Sequence, residues 1–306
     1  MARTDIENRD LVARVRQLSG LVSGIGPDDE HLSTGIAAFE DQFEYWYLRV
    51  MRAAVPAYRN LIIERINPFI RRMELKGKGP EAIAARLVED YEQRNFVTAG
   101  GWALEAMAIA TSPDGQKSAA RGIDMERVVG KDRHLYVLKS GPVTRNSDII
   151  SSLKQHSKQA EKLLRQNRGA GEVKAKYAVM TGKTSSTYHD GVWRPSSEEF
   201  WSEVLGLETA EAVELAMAIA SVASALVLLD VAQPIFELTS LVAEYIRSPE
   251  TPETADWEYI KLRTLRSREL WRDDDATRHA RAEQALNSNP YLPLITPGEA
   301  VQQAET

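Results

Sequence analysis

Gly122-Ile-Asp-Met-Glu-Arg-Val-Val-Gly-Lys-Asp-Arg-His-Leu-Tyr-Val-Leu-Lys139 is the stretch on which the reading of this chain turns. Two runs rich in β-branched and aromatic residues, 122–129 and 133–140, flank Gly130-Lys-Asp132, which has the residue types of a tight turn. The pattern predicts a β-hairpin. Asp124 ends or interrupts the first strand, and Lys139 lies near the end of the second. Side chains alternate along a strand, so Asp124 and Glu126 share a face. A carboxylate pair holding a divalent cation beside an ammonium suits phosphodiester cleavage. The metal polarises phosphoryl oxygens and acidifies a bound water, while the ammonium positions that water and offsets developing negative charge. An ordinary hairpin with an exposed Asp and Lys has the same spacing.

Helical signals surround the hairpin. Upstream, Thr4 and Glu7 form a capping-box pair, and Leu11, Val15, Leu18 and Val22 recur on one helix face. Phe39, Phe43, Trp46 and Val50 repeat that spacing as an aromatic stripe of core or dimer-interface type. Pro56 and Pro68 are expected to break or kink the helical run, and Gly77–Pro80 to stop it before a helix over 81–93. After Gly100-Gly101 a short apolar helix, 102–110, carries a single acid, Glu105. Downstream, 146–166 reads as a basic helix, 173–181 as a strand, and 182–194 as a polar loop containing Lys183, Tyr188 and Arg194. Ser196 and Glu199 cap a short helix. An apolar helix over 209–230 is expected to stop at Gln233-Pro234 and resume over 235–246, before a charged helix or helical pair over 256–286. Helices, then strands with an interspersed helix, then helices again make the fold class α/β or α+β.

Composition narrows the function. The 306 residues, 43% hydrophobic and 27% charged, describe a soluble globular chain with a core of its own. With no cysteine, disulfides, thiolate metal sites and Cys nucleophiles are excluded. The N-terminus has no apolar leader, and the uncharged stretch 215–229 is shorter than a membrane span needs. The expectation is a cytoplasmic chain without a membrane partner. A net charge of −6 hides a basic segment, 131–183, where twelve Lys/Arg face four acids. Polyanion binders need such a face, although solvated helices also show one. Thr181-Gly-Lys-Thr184 imitates a phosphate-binding loop but has Tyr177 where the first glycine belongs. The five histidines show no metal-ligand spacing.

Gly122-Ile-Asp124, then Tyr136-Val-Leu-Lys-Ser-Gly-Pro142 with Asn146 shortly after, resembles the metal-binding core of the PD-(D/E)XK nucleases. More narrowly, it is similar to type II restriction endonucleases that carry a Lys-Ser-Gly-Pro turn. The Gly100-Gly-Trp-Ala-Leu-Glu105 helix resembles the glutamate-bearing helix that precedes this core. Gly191-Val-Trp193 and Phe200-Trp-Ser-Glu-Val-Leu-Gly206 are similar to the aromatic segment that follows it. The resemblance covers about residues 95–206. It implies a restriction-endonuclease-like mixed central sheet flanked by helices, with helical N- and C-terminal arms. Within it Asp124 is the metal-binding aspartate, Lys139 the catalytic lysine, Glu105 the helical glutamate of the metal shell, and the Leu138 carbonyl a further ligand. The acid expected two residues before the lysine is replaced by Val137, so another carboxylate substitutes (Glu105, Glu126 or Glu161) or the site is impaired.

The resemblance implies four regions. They are a helical 1–94 for DNA recognition or dimerisation, a nuclease core at 95–206, a helical 207–286 and a tail at 287–306. It further implies Mg²⁺, double-stranded DNA, a homodimer, and a functional pairing with a DNA methyltransferase. Arg145, Asn146, Lys154, Lys158, Lys183 and Arg194 become candidate DNA contacts. Arg145, Lys154 and Lys158 approach phosphates, contributing affinity rather than sequence reading, while the loop 183–194 joins the N-terminal third as a candidate for base reading and dimerisation. A repair or junction nuclease, or a DNA-binding module with an inactive nuclease core, has the same features.

Overall fold

The computed structural model describes residues 5–21, 25–141, part of 151–162, 171–182, 186–189, 192–265 and 272–288. Two strands of the hairpin, β2 (Met125–Val129) and β3 (Asp132–Lys139), pair antiparallel with Met125 opposite Tyr136 and Val129 opposite Asp132. Gly130 turns the chain between them at φ +64°, a conformation glycine adopts without steric cost. A three-residue β1 (Gly115–Lys117) pairs with β2, and β4 (Val173–Val179) lies parallel to β3. On the far side β6 (Val192–Arg194) runs parallel to β4 and pairs antiparallel with β5 (Thr187–His189). The order β1-β2-β3-β4-β6-β5 is a mixed six-stranded sheet. Leu135 to Leu138 are all buried, as a central strand covered on both faces requires. The loop expected over 182–194 is thus partly a hairpin, and β1 is a strand without a sequence signal. Strands this short have no alternation to read.

The chain divides into two compact units that interleave along the sequence, Met1–Tyr47 with Val97–Leu229, and Leu48–Phe96 with Asp230–Thr306. The first unit holds the sheet. Its α6 (Ser197–Leu205) starts where the Ser196 hydroxyl accepts the Glu199 N–H (3.2 Å), and it ends at Gly206 in the left-handed region. The second unit is helical. Its core holds Tyr58, Tyr245 and Tyr259 around the buried Arg263, whose guanidinium pairs with Glu64 (2.9 Å) and Asp275 (3.0 Å).

Three helical expectations are corrected. The helix over 81–93 and the short one over 102–110 are one element, α5 (Pro80–Thr111), running through Gly100-Gly101. Two interior glycines cost about 1 kcal/mol each, and packing of buried Ala99, Ala103 and Met107 offsets that. Likewise α7 (Thr209–Ile246) contains Pro234 without ending there, and α3 (Arg49–Leu61) contains Pro56. The α7 helix is long and apolar enough to cross a membrane by composition. Ala212, Leu215, Ile219, Ala223, Val227 and Val231 form its buried stripe, at the three-to-four-residue spacing of a core helix. Finally, α2 (Asp29–Phe43) runs into a π-helical turn, Glu44–Leu48, which shifts the aromatic stripe by one residue. Tyr47 rather than Trp46 continues the buried face, with its ring 5.1 Å from that of Phe43. Thr4 and Val22, and the tail beyond 288, lie outside the described residues.

Candidate active site

Asp124 sits immediately before β2, and the main chain sets its position. Its N–H donates to the Tyr136 carbonyl (2.9 Å), and its Oδ2 accepts the Leu138 N–H (2.8 Å). The approach to Asp124 bends at Gly122, φ +77°, where a Cβ would lie 2.6 Å from the His156 ring. Lys139 closes β3, and its carbonyl accepts the Met180 N–H from the end of β4 (2.7 Å). Lys139 makes no ion pair among the described residues. By alternation it shares a sheet face with Leu135 and Val137.

Val137 packs at 5% exposure into a cluster with Ile123, Leu135, Leu153, Tyr177 and Val179. The position from which the motif's second acid is missing therefore lies in an apolar cluster. Glu105, on α5, is 9% exposed, and its Oε1 accepts from the Lys117 ammonium on β1 (2.5 Å). A core-facing carboxylate on an apolar helix needs such a partner. Glu126 is engaged by Gln116 and lies 3.6 Å from the Arg133 guanidinium. Among the described residues no three His, Cys, Asp or Glu side chains gather as a metal site.

The remaining candidates divide. Lys154 and Lys158 lie on the partly described basic helix, where Lys158 is exposed. Arg194 ends β6 with its guanidinium 5.8 Å from the centroid of the Tyr177 ring, which faces the same side of the sheet as Val137. Arg145, Asn146, Glu161 and Lys183 lie outside the described residues.

On the opposite face lies a polar cluster that sequence reading missed. Glu203 of α6 accepts from Lys176 on β4 (2.7 and 2.8 Å) and from the Tyr136 hydroxyl (3.0 Å). Its main-chain carbonyl accepts from Arg127 on β2 (2.5 Å). Burial pushes the Tyr136 hydroxyl up, with the Glu203 charge acting in the same direction. Burial pulls the Lys176 ammonium down, against the opposing effect of Glu203. His134, alongside, is pushed down to about 4 by burial and then by Lys176. The available signal was Lys176 itself, a charge inside the apolar run that ends β4, whose last five residues are all buried.

A family model described as type II restriction endonuclease EcoO109I matches residues 55–219, more than half of the chain. The chain belongs to this restriction endonuclease family. The matched span contains the whole sheet, with Asp124, Lys139 and Glu105, and extends upstream of the core expected from the motif. For a type II restriction endonuclease the substrate is double-stranded DNA, the reaction is hydrolysis of its phosphodiester bonds, and divalent metal ions are the general cofactor. No curated protein matches the sequence.

Proposed function

We propose that this chain is a Mg²⁺-dependent, sequence-specific endonuclease acting as a homodimer on a short near-palindromic site. Each subunit makes one cut, so that two-fold protein symmetry meets two-fold site symmetry. The observation that carries the reading is the 2.8 Å hydrogen bond from Leu138 to Asp124. It ties the carboxylate to the strand residue that immediately precedes Lys139.

Asp124, Lys139 and Glu105 are the proposed catalytic residues, and Asp124, Glu105 and the Leu138 carbonyl the proposed metal ligands. The donor chemistry fits a hard cation, since all three are oxygens. Within a strand the N–H and C=O of one residue point to the same edge. The Lys139 carbonyl is taken on the β4 side by Met180, so the Leu138 carbonyl turns to the β2 side, where Asp124 lies. Mg²⁺ is commonly held by one or two carboxylates, waters and substrate phosphate, which accords with the small acid count here. When bound it supplies Lewis-acid polarisation and a more acidic water. Asp124 would supply negative charge at the cation, and Glu105, beside Lys117, would supply a second carboxylate. The Lys139 ammonium offsets charge growing on the phosphoryl oxygens and orients the attacking water.

Arg194 supports the DNA side of the proposal, because its guanidinium lies across the sheet face that carries Lys139 and has no ion pair among the described residues. Arg145, Lys154 and Lys158 contact backbone phosphate, Asn146 is a further DNA contact, and Lys183 and Arg194, in the 183–194 segment, take part in base reading. The helical residues 1–94 contribute base reading and dimerisation to the core at 95–206. A cytoplasmic location and functional pairing with a DNA methyltransferase follow from a restriction role. One observation favours a second reading. The buried Val137 in place of an acid is what a DNA-binding protein with a disabled nuclease core would also have. Incubation of plasmid DNA with Mg²⁺ or with chelator separates the two. Linear product in Mg²⁺ alone supports the enzyme, and binding without cutting supports the disabled core.

A further inference from the structure

Behind the sheet face that carries Lys139, one residue gathers three adjacent strands. Glu203 receives Arg127 from β2 through its main-chain carbonyl (2.5 Å). Its carboxylate receives Tyr136 from β3 (3.0 Å) and Lys176 from β4 (2.7 and 2.8 Å). The Lys176 ammonium also sits 5.3 Å from the centroid of the Tyr136 ring, which has the Phe200 ring at 6.2 Å and the His134 ring at 6.4 Å. Tyr136 is fully buried, and the Lys176 side chain is only 7% exposed. Both side chains are thus packed against neighbours on this face.

Tyr136 connects this cluster to the other face. Its hydroxyl is held by Glu203 behind the sheet, while its carbonyl holds the Asp124 N–H (2.9 Å). Two residues on, the Leu138 N–H holds the Asp124 carboxylate (2.8 Å), and Lys139 follows. A slip or splay of β3 against β2 would release both Asp124 contacts together. Tight pairing matters here because Asp124 lies just outside β2, whose ladder begins at Met125.

We propose that Glu203 is a positioning residue for the reaction, acting through Tyr136 to hold β3 in the register that sets the Asp124 carboxylate beside Lys139. It touches neither DNA nor metal in this role. The inference rests on the Asp124–Lys139 reading above, and its test includes a readout independent of cleavage.

The test uses the full chain and two variants. Tyr136→Phe removes only the hydroxyl, leaving the Glu203–Lys176 pair and the ring packing in place. Glu203→Gln keeps the hydrogen-bonding shape and the main-chain contact to Arg127 but removes the charge. Amide hydrogen exchange over residues 136–140 is measured without metal. Cleavage rate and the Mg²⁺ concentration for half-maximal rate are then measured on plasmid DNA, and DNA affinity in Ca²⁺. The expected result is exchange at Leu138 faster by about tenfold or more in both variants. Cleavage falls by about ten- to a hundredfold with a raised Mg²⁺ requirement, and DNA affinity stays within about twofold of wild type. A folded Tyr136→Phe protein with wild-type exchange at Leu138 overturns the inference, whether or not it cuts. So does faster exchange with an unchanged rate and Mg²⁺ requirement. If Glu203→Gln does not fold, Tyr136→Phe alone decides. A wild-type protein that does not cut in Mg²⁺ defeats the endonuclease reading instead, and the exchange data then report on the strand clamp separately.

Discussion

Asp124 takes the N–H of Leu138 into its carboxylate, and Lys139 is the next residue, so these two side chains carry the sharpest expectations. Asp124→Ala and Lys139→Ala should each lower cleavage by at least about 10²–10⁴-fold, the range of a single catalytic group. Both should leave the circular dichroism spectrum unchanged, and near-normal cutting by either would remove it from the site. Glu105 and Glu126 separate on their partners. Glu105, buried against Lys117, is expected to matter at limiting metal, so Glu105→Gln should need several times more Mg²⁺ for the same rate (about three- to tenfold). Glu126→Gln, at the Gln116 and Arg133 edge, should cut like wild type. The opposite pattern in a Mg²⁺ titration would transfer the ligand role to Glu126. Restoring an acid at 137 should not help. Val137→Asp places a carboxylate among Ile123, Leu135 and Tyr177, at a cost of about 3 kcal/mol or more, readable as a fall in the urea midpoint. His134 supplies the pH dependence. Its folded pKa is pushed down to about 4, below the unfolded value of about 6.5. The unfolded chain therefore takes up a proton that the folded chain refuses. Stability should fall as pH drops from about 6.5 to about 4 and then level off with respect to this group. A His134→Gln variant should show a flatter urea midpoint over that window, and an identical slope would contradict the assignment.

At the level of elements, Gly101 makes the most specific prediction. A Cβ there would lie 2.9 Å from the Ser140 hydroxyl, next to Lys139, so α5 and the end of β3 meet closely enough that an added methyl must push the Ser140 side chain aside. Gly101→Ala should favour the helix by about 1 kcal/mol yet displace Ser140, giving unchanged or higher thermal stability with cleavage reduced about tenfold or more. Wild-type cleavage by this variant would show that the end of β3 tolerates movement. The same elements show what sequence could and could not reveal. The β2–β3 hairpin was legible because Gly130–Asp132 is a turn between two β-rich runs. The α6 helix was legible because Ser196 is a capping residue at its start, its hydroxyl accepting the Glu199 N–H while the Glu199 carboxylate turns to Ser186. Both signals are local. The continuity of α5 through Gly100-Gly101 and of α7 through Pro234 was not legible, because packing overrides what each residue prefers alone. Nor was the phase shift that buries Tyr47 in place of Trp46, since a π-turn leaves no pattern until the helix is packed. Asp124 and Lys139 could be proposed together from sequence because they lie fifteen residues apart on one hairpin, beside a Lys-Ser-Gly-Pro turn that resembles a nuclease core. Glu203, Lys176, Tyr136 and Arg127 come from four separate elements, and only the folded sheet brings them together.

For the whole molecule, two matters go beyond a single subunit. Exposed Met217, Leu226 and Leu229 on α7, with Trp46 and Trp102 stacked at 5.9 Å and each more than a third exposed, give the first unit apolar surface to spare. The expectation is a homodimer, so light scattering should report about twice the 34.2 kDa of one chain at micromolar concentration. A mass of one chain with and without DNA would contradict it. The second matter is the central claim, that this member of the restriction endonuclease family cuts DNA at one defined sequence with Mg²⁺. The most direct measurement is digestion of a large DNA with the purified protein and Mg²⁺, followed by sequencing of the fragment ends, with Asp124→Ala as control. Discrete fragments are expected whose ends fall at a single short near-palindromic sequence, absent with chelator and absent with the variant. Intact DNA, ends scattered without a common sequence, or the same fragments from Asp124→Ala would contradict it.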